Sequence, residues 1–380
     1  MARSADELFM AQALELARQG IGLASPNPCV GAVIVDERGR IVGRGTHTYE
    51  GRKHAEVLAI EEAGANARGN TLYLNMEPCS HTGRTGPCAD AVIAAGIARV
   101  VCSMQDPNPQ VAGRGFEKLR AAGIEVEVGL LEHEAKKLND SFAKYIRTRT
   151  PFVILKAAMT LDGKISAHPV SRNPTAFGAS QASTTYITGT QALQRVHELR
   201  HASDAILVGL GTVVADDPML TDRSGRPRRR PLLRVVLDSH LRTPLESRLV
   251  KTCAEDVLLA CTVPEENRRR ELESRGVCVR QVRADVNGRP DLYDLLARLG
   301  EMQITSLLVE GGAMVNAEFL RAGAVDKLWL FYAAQIFGPD ALPWLAGGGS
   351  DHFSARVLNT SIHRFGDDFA IEGYLRDPYA

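Results

Sequence analysis

Leu8, Phe9, Ala13, Leu14 and Ala17 recur at the spacing of one helical face, which predicts an amphipathic helix over 5–18. A continuous apolar run over 30–35 reads as a buried strand. The turn Asp36-Glu37-Arg38-Gly39 then leads into a partner strand over 41–45. Helices are expected over 54–63, 88–95, 117–122 and 132–146, with strands over 71–76, 99–103 and 125–128 between them. This alternation predicts an α/β sandwich around a mixed sheet. The polar segment Arg147-Thr148-Arg149-Thr150-Pro151 ends the series. A second α/β series follows, with strands over 152–159, 205–208, 233–237, 257–260, 306–309 and 327–331. Its helices are expected over 191–200, 292–299 and 315–320. Two domains are therefore expected, over 1–146 and 151–380. Two stretches lack a pattern, 168–182 and 224–231, and the second carries Arg226, Arg228, Arg229 and Arg230. No repeat of fixed period is present.

The 380 residues, 44% of them apolar, suffice for two cores. Lys+Arg and Asp+Glu balance at 45 each, which argues against a nucleic-acid binder. No run approaches the roughly 18 apolar residues of a membrane span. Asp6, Glu7, Gln12 and Glu15 interrupt the first helix, so it does not read as a secretory signal. Seven cysteines, an odd and sparse set, point to metal or core roles in a reducing cytoplasm.

The strongest chemical signal is His54-Ala55-Glu56, followed by Glu77-Pro78-Cys79 and Pro87-Cys88. One imidazole and two thiolates, His54, Cys79 and Cys88, make three ligands for a single Zn²⁺ and leave a fourth position for water, as catalytic zinc sites do. Cys88 is expected to open a helix, where the dipole favours a thiolate. Glu56 is placed to carry protons between the water and a leaving amine. His-x-Glu followed by Pro-Cys is the signature of zinc deaminases of bases and nucleosides. A structural zinc knuckle and unrelated core cysteines are the plainer readings. Eight residues separate Cys79 from Cys88, where the common signature has two. The extra loop carries His81 and Arg84. Arg84 either meets a substrate phosphate or is a solvated loop arginine.

Two glycine turns follow strands in the second half: Gly209-Leu210-Gly211-Thr212, and Glu310-Gly311-Gly312 leading into Ala313-Met314-Val315-Asn316. Free N–H groups there suit a nucleotide phosphate, although plain turns explain them equally well. No full Gly-x-Gly-x-x-Gly follows the first strand.

Together these motifs resemble one family. They include Ser25-Pro26-Asn27-Pro28-Cys29-Val30-Gly31, the zinc motifs, Asp106-Pro107-Asn108-Pro109, Leu161-Asp162-Gly163-Lys164, Asp216-Asp217-Pro218, Val236-Leu237-Asp238-Ser239 and Leu308-Val309-Glu310-Gly311-Gly312. In this order they are similar to the bifunctional deaminase/reductases of riboflavin biosynthesis. The resemblance implies a cytidine-deaminase-like α/β/α sandwich followed by a dihydrofolate-reductase-like domain. It implies two reactions on a phosphoribosylaminopyrimidine: zinc-dependent loss of the 2-amino group as ammonia, then reduction of the ribosyl group to ribityl by NADPH. His54, Cys79 and Cys88 would be ligands and Glu56 the proton carrier. Asn27, His47, Arg84, Asp106 and Asn108 would contact the deaminase substrate. Lys156 would be catalytic in the reduction, with Thr184, Arg200, Leu220, Arg223 and Glu310 on the substrate side. Ala158, Tyr186, Thr212, Asp216, Ser239, Gly312, Ala313, Met314, Val315, Asn316, Ala317 and Glu318 would line NADPH. A cytoplasmic homo-oligomer without nucleic-acid or membrane partners is expected. The sequence departs from the family by an insertion around 168–182 and by Tyr186 where tryptophan is usual. A deaminase-only enzyme with a degenerate reductase half is therefore the alternative. A nucleic-acid deaminase and a zinc-stabilised nucleotide sensor are the remaining readings.

Overall fold

A computed structural model describes residues 4–81, 86–167, 187–346 and 354–380. The chain separates into two compact units. The first comprises Met1–Arg149 with Pro227–Arg229 and Tyr379, and the second takes the remainder. Among the described residues no helix is long and apolar enough to cross a membrane.

The first unit runs α1 (Ala5–Arg18), β1 (Gly31–Val35), β2 (Ile41–Thr46), α2 (Ala55–Ala63), β3 (Thr71–Leu74), α3 (Cys88–Ala94), β4 (Arg99–Cys102), α4 (Arg114–Ala121), β5 (Glu125–Val128) and α5 (Glu132–Thr148). Ser4 and Glu7 close a reciprocal capping box that fixes the start of α1. The sheet order is β2-β1-β3-β4-β5, antiparallel around β1 and parallel from β3 to β5. Gly31 approaches α1, whereas Gly43 and Gly45 approach α2. Gly45 pairs with Ala32, and neighbours along a strand face opposite ways, so α1 and α2 cover opposite faces. A Cβ on Gly45 would stand 1.9 Å from the Ala55 carbonyl oxygen. Only glycine lets α2 lie this close to β2, and α2 carries the first residues of the site described below. Met10, Leu14, Val33, Ile34, Leu72, Leu74, Val100 and Phe116 are among the side chains filling the core.

The second unit runs β6 (Phe152–Thr160), β7 (Lys164–Ser166), α6 (Thr190–Ala202), β8 (Ala205–Gly209), α7 (Leu210–Asp216), β9 (Leu233–Leu237), α8 (Arg248–Lys251), β10 (Val257–Cys261), α9 (Glu266–Glu273), β11 (Cys278–Gln281), α10 (Leu292–Glu301), β12 (Ser306–Val309), α11 (Ala313–Arg321), β13 (Lys327–Ala333), β14 (Leu342–Pro343), β15 (Leu358–Phe365) and β16 (Asp368–Tyr374). One sheet has the order β11-β10-β9-β8-β12-β6-β13-β16-β15. It is parallel as far as β13 and ends in the antiparallel pair β16 and β15. Along β6 the side chains alternate. Val153, Leu155, Ala157 and Met159 enter the core with Leu295 and Phe319. Ile154 and Ala158 pack on the other face with Val196, Leu199, Trp329 and Phe331. Lys156 lies between Ile154 and Ala158 on that second face, beneath α6.

Several elements differ from the sequence expectation. The first glycine turn leads directly into a short helix, α7, which was not among the expected helices. The helix expected over 117–122 begins earlier, at Arg114. The strands β11, β15 and β16 and the helices α8 and α9 carried no clear sequence pattern. In α9 only Leu272 is buried, so no apolar stripe marks it. β15 is exposed along most of its length, so alternation is absent there too.

Candidate active sites

The first unit gathers a metal-type donor set at the starts of two helices. His54 is the N-cap of α2, and Cys88 is the first residue of α3. Cys79 lies beyond β3. The ligand atoms of His54, Cys79 and Cys88 all lie within 4.8 Å of one another. The His54 Nδ1 is 3.1 Å from the Cys88 sulfur and 3.7 Å from that of Cys79. The Cys88 backbone N–H donates to the Cys79 sulfur at 3.3 Å. The thiol of Cys79 is held down to about 4, first by its contact with Cys88 and then, against burial, by His54. Cys88 is pushed above the ordinary range by Cys79 and by burial. One borderline nitrogen and two soft sulfurs at this spacing fit Zn²⁺, whose charge would allow both thiolates to form.

Glu56 follows two residues later on α2. It is 3% exposed, and its Oε2 has no hydrogen-bond partner. Burial pushes its carboxyl up to about 7, against the pull of His54. An uncompensated buried carboxylate oxygen costs roughly 1–3 kcal/mol or more, so a ligand or cation is the natural partner for it.

Around this centre the structure brings together most of the candidate substrate residues of the first unit. The Nδ1–H of His47 donates to the Lys53 carbonyl at 2.9 Å. A carbonyl only accepts, so Nε2 is left to accept from the Asn27 amide at 3.0 Å. The rings of His47 and His54 meet edge to face at 5.1 Å. Asn75 and Asn139 hold the segment beyond Asn27. The Asn139 side chain bonds both the N–H and the carbonyl of Cys29, and Asn75 bonds the Cys29 carbonyl and the Gly31 N–H. Asn139 leaves helical geometry to do so, which kinks α5. Asp106 accepts from the Asn108 N–H at 2.8 Å, and burial pushes its carboxyl up to about 7. Arg84 lies outside the described residues.

Glu77 is a structural residue of this site that sequence reasoning left without a role. It is 3% exposed. One oxygen accepts from the N–H groups of Asp106 and Gly113 at 3.1 and 2.9 Å, the other from Gly115 and Phe116 at 2.8 and 3.4 Å. It therefore ties the Cys79 segment to the loop carrying Asp106 and Asn108 and to the start of α4. Only its place in the Glu-Pro-Cys motif hinted at this.

The second unit assembles a charged cluster on the α6 face of its sheet. Arg200 grips both oxygens of Glu310 at 2.7 and 3.0 Å, and the Lys156 Nζ lies 3.7 Å from the same carboxylate. Burial would raise the Glu310 carboxyl, but Arg200 and Lys156 outweigh it and hold it at about 2. Burial lowers Lys156 below the ordinary lysine range, with Glu310 opposing. Leu220 is buried, with a positive φ of 54°, and its side chain packs in the core beside β8 and β9. Arg223 is exposed nearby in sequence.

The candidate cofactor residues gather on the two glycine turns. An added Cβ on Gly311 would meet Val315 at 2.6 Å, so the turn is closed tightly onto α11. Gly312 caps α11 and faces the Thr212 hydroxyl. Ala313, Asn316 and Ala317 are buried, and Glu318 pairs with Arg289 at 2.8 Å. Met314 is 49% exposed. What this segment offers a ligand is chiefly backbone N–H groups at the first turn of α11. Ala158 flanks Lys156 on β6, and Asp216 ends α7. Ser239 follows β9 and accepts from the Thr262 and Val263 N–H groups through its carbonyl. Thr184, Tyr186 and the insertion at 168–182 lie outside the described residues.

Known proteins align with both halves. Residues 151–371 match the family described as RibD C-terminal domain, and residues 3–104 match the cytidine and deoxycytidylate deaminase zinc-binding region. The riboflavin biosynthesis protein RibD of Aquifex aeolicus is 40% identical over 371 residues, covering 98% of this chain and 99% of that protein. RibD of Escherichia coli K12 is 43% identical over 347 residues, covering 88% and 89%. Among solved structures, Acinetobacter baumannii RibD superposes with a TM-score of 0.82 at 34% identity, covering 98% of this chain and 99% of that one. A diaminohydroxyphosphoribosylaminopyrimidine deaminase/5-amino-6-(5-phosphoribosylamino)uracil reductase from Thermotoga maritima superposes at 0.77 with 36% identity, covering 98% and 99%.

Proposed function

The chain belongs to the RibD family of bifunctional riboflavin-biosynthesis deaminase/reductases, and on that premise we propose how its own residues divide the two reactions. It hydrolyses the 2-amino group of 2,5-diamino-6-(5-phosphoribosylamino)pyrimidin-4(3H)-one and reduces the ribosyl group of the product with NADPH. Deamination belongs to residues 1–146 and reduction to residues 151–380.

The observation that carries the reading is the convergence of His54, Cys79 and Cys88 beside the buried, unpartnered oxygen of Glu56. Zinc on this triad supplies the Lewis acidity that makes water nucleophilic near neutral pH. Glu56 takes the proton that water gives up as it adds to the ring carbon. It returns a proton to the departing amine, which leaves as ammonia. Asn27 and His47 form a fixed donor–acceptor pair beside the triad and orient the pyrimidine. Asp106 and Asn108 contact it from the loop that Glu77 secures, and Arg84 meets the phosphate.

NADPH supplies the hydride for the second step. The N–H groups at the start of α11, with Thr212, Asp216, Ser239, Ala158 and Tyr186, hold the cofactor. Lys156 carries a proton on Nζ next to Glu310, positioned to protonate the ribosyl oxygen as its carbon accepts hydride. Arg200 keeps Glu310 ionised, and Glu310 in turn orients Lys156. The assembled Lys156–Glu310–Arg200 cluster favours an active second half over a degenerate one. Leu220, Arg223 and Thr184 complete the substrate side. A homo-oligomer fits the exposed terminal strand β15, with Ile362 73% and Leu358 40% exposed. The cytoplasm fits the free, sparse cysteines.

Strong chelation of the purified chain is expected to remove one zinc and abolish ammonia release, with recovery on adding zinc back. NADPH oxidation on a supplied deaminated intermediate is expected to persist in the chelated protein. Full deamination by metal-free protein contradicts the assignment of the triad.

A further inference from the structure

The arginine-rich stretch 226–230 contributes no residue to either site described above, yet Pro227–Arg229 belongs to the first unit. Arg229 is bound there in three ways. Its backbone N–H donates to the Gly22 carbonyl at 2.8 Å, and its guanidinium Nη1 donates to the Ser25 carbonyl at 2.9 Å. The guanidinium carbon lies over the Tyr49 ring, 3.6 Å from its centroid. At that distance stacking and cation–π attraction both act. The ion pair with Glu50, at 3.3 Å, adds little, because the Glu50 side chain is 78% exposed.

These contacts join the two segments that carry the Asn27–His47 pair. Ser25 stands two residues before Asn27, whose N–H donates to the Ala24 carbonyl at 2.9 Å. Tyr49 stands two residues after His47, and its N–H donates to the Leu23 carbonyl at 3.1 Å. Asn139 and Asn75 hold the same stretch from its other side, at Cys29 and Gly31. Asn27 therefore has an anchor two residues away in each direction, and the one before it is Arg229. Hydrogen bonds from a charged donor are roughly twice as strong as neutral ones, and a guanidinium already stacked on a ring loses less freedom in making one.

We propose that Arg229 is a positioning residue for deamination. By holding the Ser25 carbonyl against the Tyr49 ring, it sets the spacing of Asn27 and His47, and with it the orientation of the pyrimidine beside the metal-type triad. This rests on the deaminase reading above and adds to it a residue outside 1–146. The triad itself stands on α2, α3 and the segment beyond β3, so loss of Arg229 is expected to spare the metal.

The full chain carrying Arg229→Ala is compared with the wild type for ammonia release over a range of substrate concentrations. Zinc content and NADPH oxidation on supplied deaminated intermediate are measured alongside. The KM for deamination is expected to rise about tenfold with kcat little changed, the scale of a modest misplacement of substrate-orienting groups. Zinc content and reduction are expected at wild-type levels. Arg229→Lys returns the charge and a donor without the planar face, and is expected to recover part of the KM. Tyr49→Leu removes the stacking surface and is expected to raise the same KM by a smaller factor. An unchanged KM in Arg229→Ala overturns the proposal. So does a fall in kcat at constant KM, which marks a smaller folded fraction and a purely structural arginine. A rise in KM as large in Glu50→Gln also overturns it, since surface charge then accounts for the effect. If Arg229→Ala is insoluble, a wild-type KM in both Arg229→Lys and Tyr49→Leu overturns the proposal. If the zinc-loaded wild type releases no ammonia, the deaminase reading falls together with it.

Discussion

Glu56 combines two conditions a proton carrier needs, a buried, unpartnered carboxylate oxygen two residues from His54 and a carboxyl pushed up to about 7 by burial. Glu56→Gln keeps the shape and removes the proton exchange. It is expected to retain zinc and fold while losing deamination by at least about 100-fold, the lower end for acid–base groups. Near-normal turnover by the variant assigns the proton to another group. Lys156 is the residue proposed for the corresponding role in the reductase half. Lys156→Ala is expected to abolish NADPH oxidation and leave deamination intact. Because burial lowers Lys156, its proton is lost as pH rises through a value below the ordinary lysine range of about 10.4. The alkaline limb of kcat/KM for reduction is therefore expected below that pH, and a profile that is flat up to it removes Lys156 as the proton source. The zinc triad was legible in the sequence because few residue types bind zinc and their motif is short. Glu77 was not legible, because its partners are backbone N–H groups 29 to 39 residues away, which any residue type can provide. The Lys156–Glu310 pairing was legible only as opposite charges on two strands. The parallel register of β6 and β12 is what brings them within 3.7 Å.

At the scale of elements, the helix starts do most of the positioning. α2 places His54 and Glu56, and α3 begins with Cys88. The depth of α2 on the sheet is set by Gly45, where a Cβ would overlap the Ala55 carbonyl. Gly45→Ala is expected to push α2 away from β2 and to destabilise the first unit by about 1–3 kcal/mol or more, the usual cost of overpacking. Because Ala55 follows His54, zinc affinity is expected to fall as well. Thermal unfolding and metal content of the variant check both effects, and wild-type values for the two argue against a close-packed α2. Elements with a buried stripe, such as α1, β1 and β6, were readable from their spacing. β15 and α9 were not, since pairing with β16 and a single buried leucine respectively hold them in place. The short helix α7 after Gly209 was not readable, because glycine marks both a plain turn and the N-cap of a short helix.

At the scale of the whole chain, two folds of different sheet logic carry two chemistries. The first sheet is short and mixed, with the metal-type site at helix starts. The second is long and mostly parallel, and its charged cluster lies under α6. The hydrophobic clusters of the two units draw no residue from the polar segment before Pro151. Sequence could not show how the second half arranges its charges, because strands far apart in the chain become neighbours in the sheet. The most direct measurement is mass analysis of the products when purified protein meets the diaminopyrimidine substrate with and without NADPH. Without NADPH, the expected product is the deaminated phosphoribosyl compound alone. With NADPH, it is expected to give way to the ribityl product, two hydrogens heavier. Accumulation of the deaminated compound in the presence of NADPH contradicts the bifunctional reading, and an unchanged substrate contradicts the deaminase assignment itself.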